Sequence, residues 1–272
     1  MGDIYDEVLK LKANGERAAL ATLIFTSGST PREQGAKMLI REDGSIFGTI
    51  SGGILEEQVR EEAKNIIQEG KPKILDLDLT GKNEKGMICG GVAKVYIEPI
   101  IPIPTLYIFG GGHISFSLAK IAKILGFQVV VIDDRKEYAN PERFPEADKT
   151  IADDYRNVFS QIAPNKFSYI IIVTRGHAHD QTVLGWAITT DAKYIGMIGS
   201  RRKTKTVYDN LIAQGVNEDA FKRVHAPIGL DIHAETPEEI AVSIMAEIIK
   251  VHRSDQTKGK SIWGSEGEEN HV

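Results

Sequence analysis

Apolar positions follow one set of rhythms up to about residue 100 and another beyond it. Ile4, Val8, Leu9 and Leu11 recur near helical spacing, and Gly15 closes that segment. Ala18–Phe25 is an apolar run of strand length, followed by a small polar loop from Thr26 to Arg32. Lys37–Ile40 and Ser45–Ile50 read as two strands joined at Asp43-Gly44, a strong hairpin signal. After Ser51-Gly52-Gly53, the positions Leu55, Val59, Ala63, Ile66 and Ile67 predict an amphipathic helix ending at Gly70. Ile74–Leu79 and Val92–Ile100 complete a small α+β unit.

The stretch Ile100-Ile101-Pro102-Ile103-Pro104 favours an extended connector. Beyond it, strand and helix alternate. Leu106–Phe109, Gln128–Ile132, Tyr169–Thr174 and Tyr194–Ile198 are short and nearly all apolar, as strands buried on both faces must be. Ile114, Leu118, Ile121, Ala122 and Leu125 mark one helix face, and Ile240, Ala241, Ile244, Met245 and Ile248 a last one. This order predicts a Rossmann-like, doubly wound parallel sheet. The expected division is residues 1–103, 104–253 and a polar, disordered tail over 254–272.

Composition narrows the class. A net charge of −5 gives no basic surface for nucleic acid. No apolar run approaches the roughly 20 residues of a membrane span. The N-terminus lacks the pattern of a signal peptide. The single cysteine, Cys89, allows no intramolecular disulfide and fits a reducing compartment, so a cytoplasmic location is expected.

Three glycine turns carry candidate chemistry. Gly110-Gly111-Gly112-His113 follows a strand and opens a helix, as a dinucleotide fingerprint requires. Gly110 permits the tight turn, Gly112 lets backbone approach a pyrophosphate, and Ser115 in the third glycine's place predicts looser helix packing. Asp133 stands at the end of the next strand, where a carboxylate can bind a ribose hydroxyl. Ser51-Gly52-Gly53 either seats an anion at a helix start or merely turns the chain; Glu56 and Glu57 favour the helix dipole but repel a nearby anion. Cys89-Gly90-Gly91 reads equally as inert packing or as a thiol activated by backbone N–H groups.

His177, His179 and Asp180 follow an apolar strand, at the edge where such sheets bind ligands. Ligand contact or loop hydrogen bonding suits them better than a metal half-site. Arg201, in Gly199-Ser200-Arg201-Arg202-Lys203, opens a helix as a phosphate clamp or as a solvated face. His113, Asp133, His177 and Arg201 are expected to converge on one crevice. Spacing establishes no catalytic triad or carboxylate pair, so no catalytic residue is assigned.

Further stretches accompany these: Gly28-Ser29-Thr30-Pro31-Arg32 with Gly35-Ala36-Lys37-Met38, Thr174-Arg175-Gly176-His177, Tyr194–Lys203, and Ala226-Pro227-Ile228-Gly229-Leu230. Together they resemble the XdhC/CoxI family, the xanthine dehydrogenase accessory proteins, from about Asp3 to Arg253. The resemblance implies a molybdenum cofactor chaperone without catalysis of its own. Such a protein would bind molybdopterin, with or without an added nucleotide, and protect it while a cysteine desulfurase supplies sulfur. It would then help insert it into a xanthine dehydrogenase-type molybdoenzyme, often as a homodimer. Cys89 and the glycine turns would be the contacts. Two departures stand out: Ile54 where the family commonly has a cysteine, and His233 where a glycine is usual. Two rival readings are an NAD(P)-dependent oxidoreductase using the same crevice and a scaffold holding no small molecule.

Overall fold

A computed structural model describes residues 3–27, 32–78 and 92–254. They fall into two compact units, Met1–Ile103 and Pro104–Val272. The structure is mixed α/β, with one antiparallel and one parallel sheet.

The first unit opens with α1 (Ile4–Asn14), where the Asp3 carboxylate accepts from the Tyr5 N–H and Gly15 closes the end in a left-handed conformation. The strands β1 (Ala18–Ser27), β2 (Lys37–Arg41) and β3 (Ile46–Gly48) precede α2 (Ile54–Glu69), and β4 (Lys73–Asp78) and β5 (Val92–Ile100) follow. The sheet order is β3-β2-β1-β5-β4, with every pairing antiparallel. α2 lays Leu55, Val59, Ala63 and Ile66 on Ala21, Met38, Val95 and Ile97, forming this unit's main core. The third strand is shorter than the apolar pattern predicts. Gly48 turns the chain at φ 84°, which ends the ladder before Ile50.

The second unit alternates β6 (Thr105–Phe109), α3 (His113–Ile124), β7 (Gln128–Asp133), β8 (Lys149–Ala152), α4 (Tyr155–Val158), β9 (Ser168–Ile172) and α5 (His177–Ala187). It continues with β10 (Tyr194–Met197), α6 (Arg201–Ala213), a 3-10 turn at Glu218–Arg223, β11 (Val224–His225) and α7 (Pro237–Ser254). All six strands are parallel, in the order β11-β10-β9-β6-β7-β8. Counted from β6 this is the Rossmann order, with the switch point between β6 and β9.

Alternate residues serve opposite faces. Leu106, Ile108 and Ile171 meet residues of α3 and α7, whereas Phe109, Ile170 and Ile172 meet residues of α4, α5 and α6. The sequence pattern misses β8 and β11, which are four and two residues long and lie at the sheet's edges. Edge strands have one neighbour and need no continuous apolar run.

Candidate functional site

The second unit's loops at the carboxyl edge carry the chemistry-bearing residues. At the end of β6, Gly110 adopts φ 111° and passes so close to the Val173 carbonyl that a Cβ would collide with it. Gly111 is as tightly covered by the Tyr138 carbonyl, while Gly112 faces open space and caps α3 without a side-chain bond. The looser packing expected at Ser115 is absent. Ser115 is fully buried and its hydroxyl donates to the Gly110 carbonyl, so the serine closes the turn. His113 is exposed at the start of α3.

Asp133 is only 1% exposed and already fully engaged. Its Oδ2 accepts from the Gly111 N–H (2.8 Å) and Arg135 Nη2 (3.2 Å); Oδ1 accepts from the Arg135 N–H (3.0 Å) and Nε (2.9 Å). Burial works to raise its pKa, but the Arg135 guanidinium and the two backbone donors outweigh that and hold it low. The Arg135 guanidinium also lies 3.5 Å from the Tyr138 ring centroid, and Arg143 Nε donates to the Gly111 carbonyl. The carboxylate that the sequence offers to a ribose therefore braces the glycine turn instead.

Two distant motifs form one unit at the ends of β9 and β10. Asp180 is fully buried; its Oδ1 accepts from the Thr174 hydroxyl (2.6 Å), and its Oδ2 lies 2.7 Å from Lys203 Nζ. Gly199 is needed for this reach, because a Cβ there would lie 2.7 Å from Lys203 Cδ. Asp180 is thus spent on structure. Among the described residues, no group of three or more His, Cys, Asp or Glu side chains comes together as a metal site. His177 is exposed at the start of α5, and His179 meets the Tyr155 ring edge-on at 5.3 Å. Arg175 pairs with Asp134 at 2.7 Å.

His113, Asp133, His177 and Arg201 all stand at carboxyl ends of strands, as expected, but they do not form one cluster of free groups. Asp133 is occupied. Arg201 lines a groove between α6 and the 3-10 turn together with Asp209, Glu218 and Asp219. His225 stacks on Tyr194 and pairs with Glu247 at 3.1 Å. Glu247 also accepts from the Tyr194 hydroxyl and from the Gly229 N–H (2.9 Å). Burial opposes its ionisation, but these donors outweigh it and its pKa is lowered. The Ala226–Leu230 motif is therefore held to α7 by a polar hub. Gly229 sits at φ 96° against the Ser243 hydroxyl, which leaves no room for a Cβ.

In the first unit, Ser51-Gly52-Gly53 leads into α2, and Ile54 is that helix's first residue. The expectation that Glu56 opposes an anion here holds, and in a stronger form, because the Glu56 carboxylate itself takes the anion's place. Its Oε1 accepts from the Thr49 hydroxyl (2.5 Å) and from the amides of Ile50 (3.1 Å), Ser51 (3.3 Å) and Gly52 (3.0 Å). Burial raises its pKa, but these donors prevail and lower it. Cys89, Gly90, Gly91 and Gly28–Pro31 lie outside the described residues.

The sequence reading missed Tyr155, a fully buried phenol that lies beside the Asp133 and Asp134 carboxylates. Burial, and then the Asp133 and Asp134 carboxylates, push its pKa up. Its sequence signal was weak, since it lies on a four-residue helix without periodicity.

A model of the XdhC Rossmann domain matches residues 106–248, more than half of the chain, and a model of the XdhC and CoxI family matches residues 11–78. The chain belongs to the XdhC/CoxI family. This XdhC-type chain is 36% identical to "Uncharacterized protein YqeB" of Escherichia coli K12 over 92% of its length, but spans only 46% of that relative. It is 24% identical to a probable xanthine dehydrogenase subunit of Bacillus subtilis 168, covering 93% of this chain and 98% of that protein. With the E. coli K12 "Molybdenum cofactor insertion chaperone PaoD" it shares 21% identity, over 90% and 87% of the two chains. A crystal structure described as a xanthine dehydrogenase from Bacillus halodurans superposes with a TM-score of 0.52 at 24% identity, covering 94% and 97%, which establishes the shared fold. Among the described residues, no helix is long and apolar enough to cross a membrane.

Proposed function

We propose that this chain binds the molybdenum cofactor and serves in maturing a xanthine dehydrogenase-type molybdoenzyme, as a carrier without catalysis of its own. It protects the cofactor while a cysteine desulfurase supplies the sulfur ligand, then helps insert it into the client. The reading places the protein in the cytoplasm, as a homodimer. The observation that carries it is similarity over nine-tenths of the chain to a molybdenum cofactor insertion chaperone. The engaged state of Asp133 supports it against the NAD(P)-dependent oxidoreductase. A dinucleotide enzyme needs that carboxylate free for ribose, and here four donors fill it. The open backbone at Gly112, with exposed His113 and His177, leaves a ligand-accessible edge beside the filled turn. Cys89, with Gly90 and Gly91, is the thiol available to meet the metal or a sulfur donor.

The test is anaerobic purification from a host that makes the cofactor, followed by an assay for released oxidised pterin. Pterin in stoichiometric amount is expected. Its repeated absence, with no uptake of added cofactor, refutes the carrier. Calorimetric titration with NAD and NADP should give no micromolar binding; such binding would favour the oxidoreductase.

A further inference from the structure

Two of the chain's glycine turns hold carboxylates of their own. Asp133 takes the Gly111 amide, and Glu56 takes those of Ile50, Ser51 and Gly52. The second unit holds a cavity whose lining carries positive charge and no carboxylate. It lies between α5 and α6 and measures about 510 Å³, within the ordinary range of small-molecule sites. His177, Gln181, Ser200, Arg202, Thr206 and Asn210 line it, with buried Val207 as an apolar floor and Ala178 at its exposed edge.

No carboxylate is among its lining residues. Lys203 also lines it, but its ammonium is neutralised by buried Asp180. Arg202 lines the cavity, is exposed, and makes no ion pair among the described residues, so no partner side chain neutralises its charge there. The Asn210 amide donates to Gln181 Oε1 at 3.0 Å, which fixes both amides and turns the Gln181 NH₂ away from Asn210. The α5 start adds amides with no side-chain cap.

The neighbouring groove beyond α6 is larger, about 760 Å³, but its charges cancel. Lys205 pairs with Asp209 and Lys222 with Asp219, and the negative charge of Glu218 offsets the positive charge of Arg201.

We infer that the α5–α6 cavity seats the phosphate end of a small phosphorylated ligand. Arg202 is its principal cation, and Gln181 and Ser200 are its hydrogen-bonding partners; the Thr206 hydroxyl already donates to the Arg202 carbonyl (3.1 Å). This deepens the carrier reading and rests on it for one point only, that the phosphate belongs to the carried cofactor. An arginine fork suits phosphate oxygens better than a point charge does. The apolar floor suits a ring attached to the phosphate.

The experiment compares wild type, Arg202→Glu and Lys205→Glu. Both variants make the same charge change on exposed positions of α6, but only Arg202 lines the cavity. Titration with inorganic phosphate and pyrophosphate at low salt should show binding to wild type. Arg202→Glu should weaken it by about tenfold or more, the worth of a charge-assisted hydrogen bond, and Lys205→Glu by less than about twofold. No binding to wild type, or equal losses in both variants, overturns the site.

Pterin content of anaerobically loaded protein then identifies the phosphate's source. Loss in Arg202→Glu alone assigns it to the cofactor, and wild-type content in Arg202→Glu overturns that assignment. If wild type itself carries no pterin, the carrier reading falls, and the phosphate titration still decides the cavity.

Discussion

Lys203 Nζ lies 2.7 Å from Asp180 Oδ2, and this one ion pair fastens the first turn of α6 to the first turn of α5. Asp180 is fully buried and Lys203 mostly so. Removing one partner strands a charge. Lys203→Met should destabilise the second unit by roughly 3–5 kcal/mol, and Asp180→Leu on top of it should recover most of the loss. Denaturant unfolding of the two single variants and the double variant measures the coupling. Additive losses would show that the pair is not the fastening.

Glu56 makes a pH-dependent contribution. Its folded pKa lies below the ordinary carboxylate value, so its stabilisation is present above the unfolded pKa, near 4.3. It is lost as pH falls through the folded value. Glu56→Gln should cost roughly 2–3 kcal/mol at pH 7, and the gap to wild type should close in acid below about pH 4. Thermal unfolding at several pH values reads this out. A gap that is constant with pH would contradict the charge-based account.

His233 holds a left-handed backbone conformation that favours glycine, φ 57°. The turn carries a strain of about 1 kcal/mol or more. The imidazole is 96% exposed, with only a distant Asp231 beside it. His233→Gly should therefore raise the stability by about 0.5–1 kcal/mol, seen as a higher denaturant midpoint. A lower midpoint would mean that the side chain contributes something beyond the backbone turn.

Asp133 braces the glycine turn through the Gly111 N–H and Arg135. Asp133→Asn should lower stability by roughly 2–4 kcal/mol, because Arg135 loses its counter-charge and the Gly111 N–H a charged acceptor. Calorimetry should show the same negligible NAD affinity before and after the change. A selective loss of NAD binding from the variant would restore the enzyme reading.

The sequence made the parallel sheet legible because β9 and β10 are buried at every position and leave unbroken apolar runs. The glycine turn was legible because its strand, helix and acid fall in a fixed order. What spacing did not convey was who partners whom. Asp133 has the position of a ribose acid, yet Arg135 two residues on captures it. Glu56 reads as hostile to an anion, and it is, but a linear reading does not reveal that its carboxylate folds back and fills the seat itself. Arg201 and Arg202 are adjacent in sequence but line different cavities, a separation set by helix geometry.

The filled turn in the first unit also sets a threshold for any competitor. Glu56 is tethered to the amides it binds by only a few residues, so its carboxylate is presented to them at an effective concentration of about millimolar or above. A free phosphate at micromolar levels would lose that contest. Only a ligand that first gains purchase elsewhere on the unit, and so becomes tethered in its turn, can take the seat.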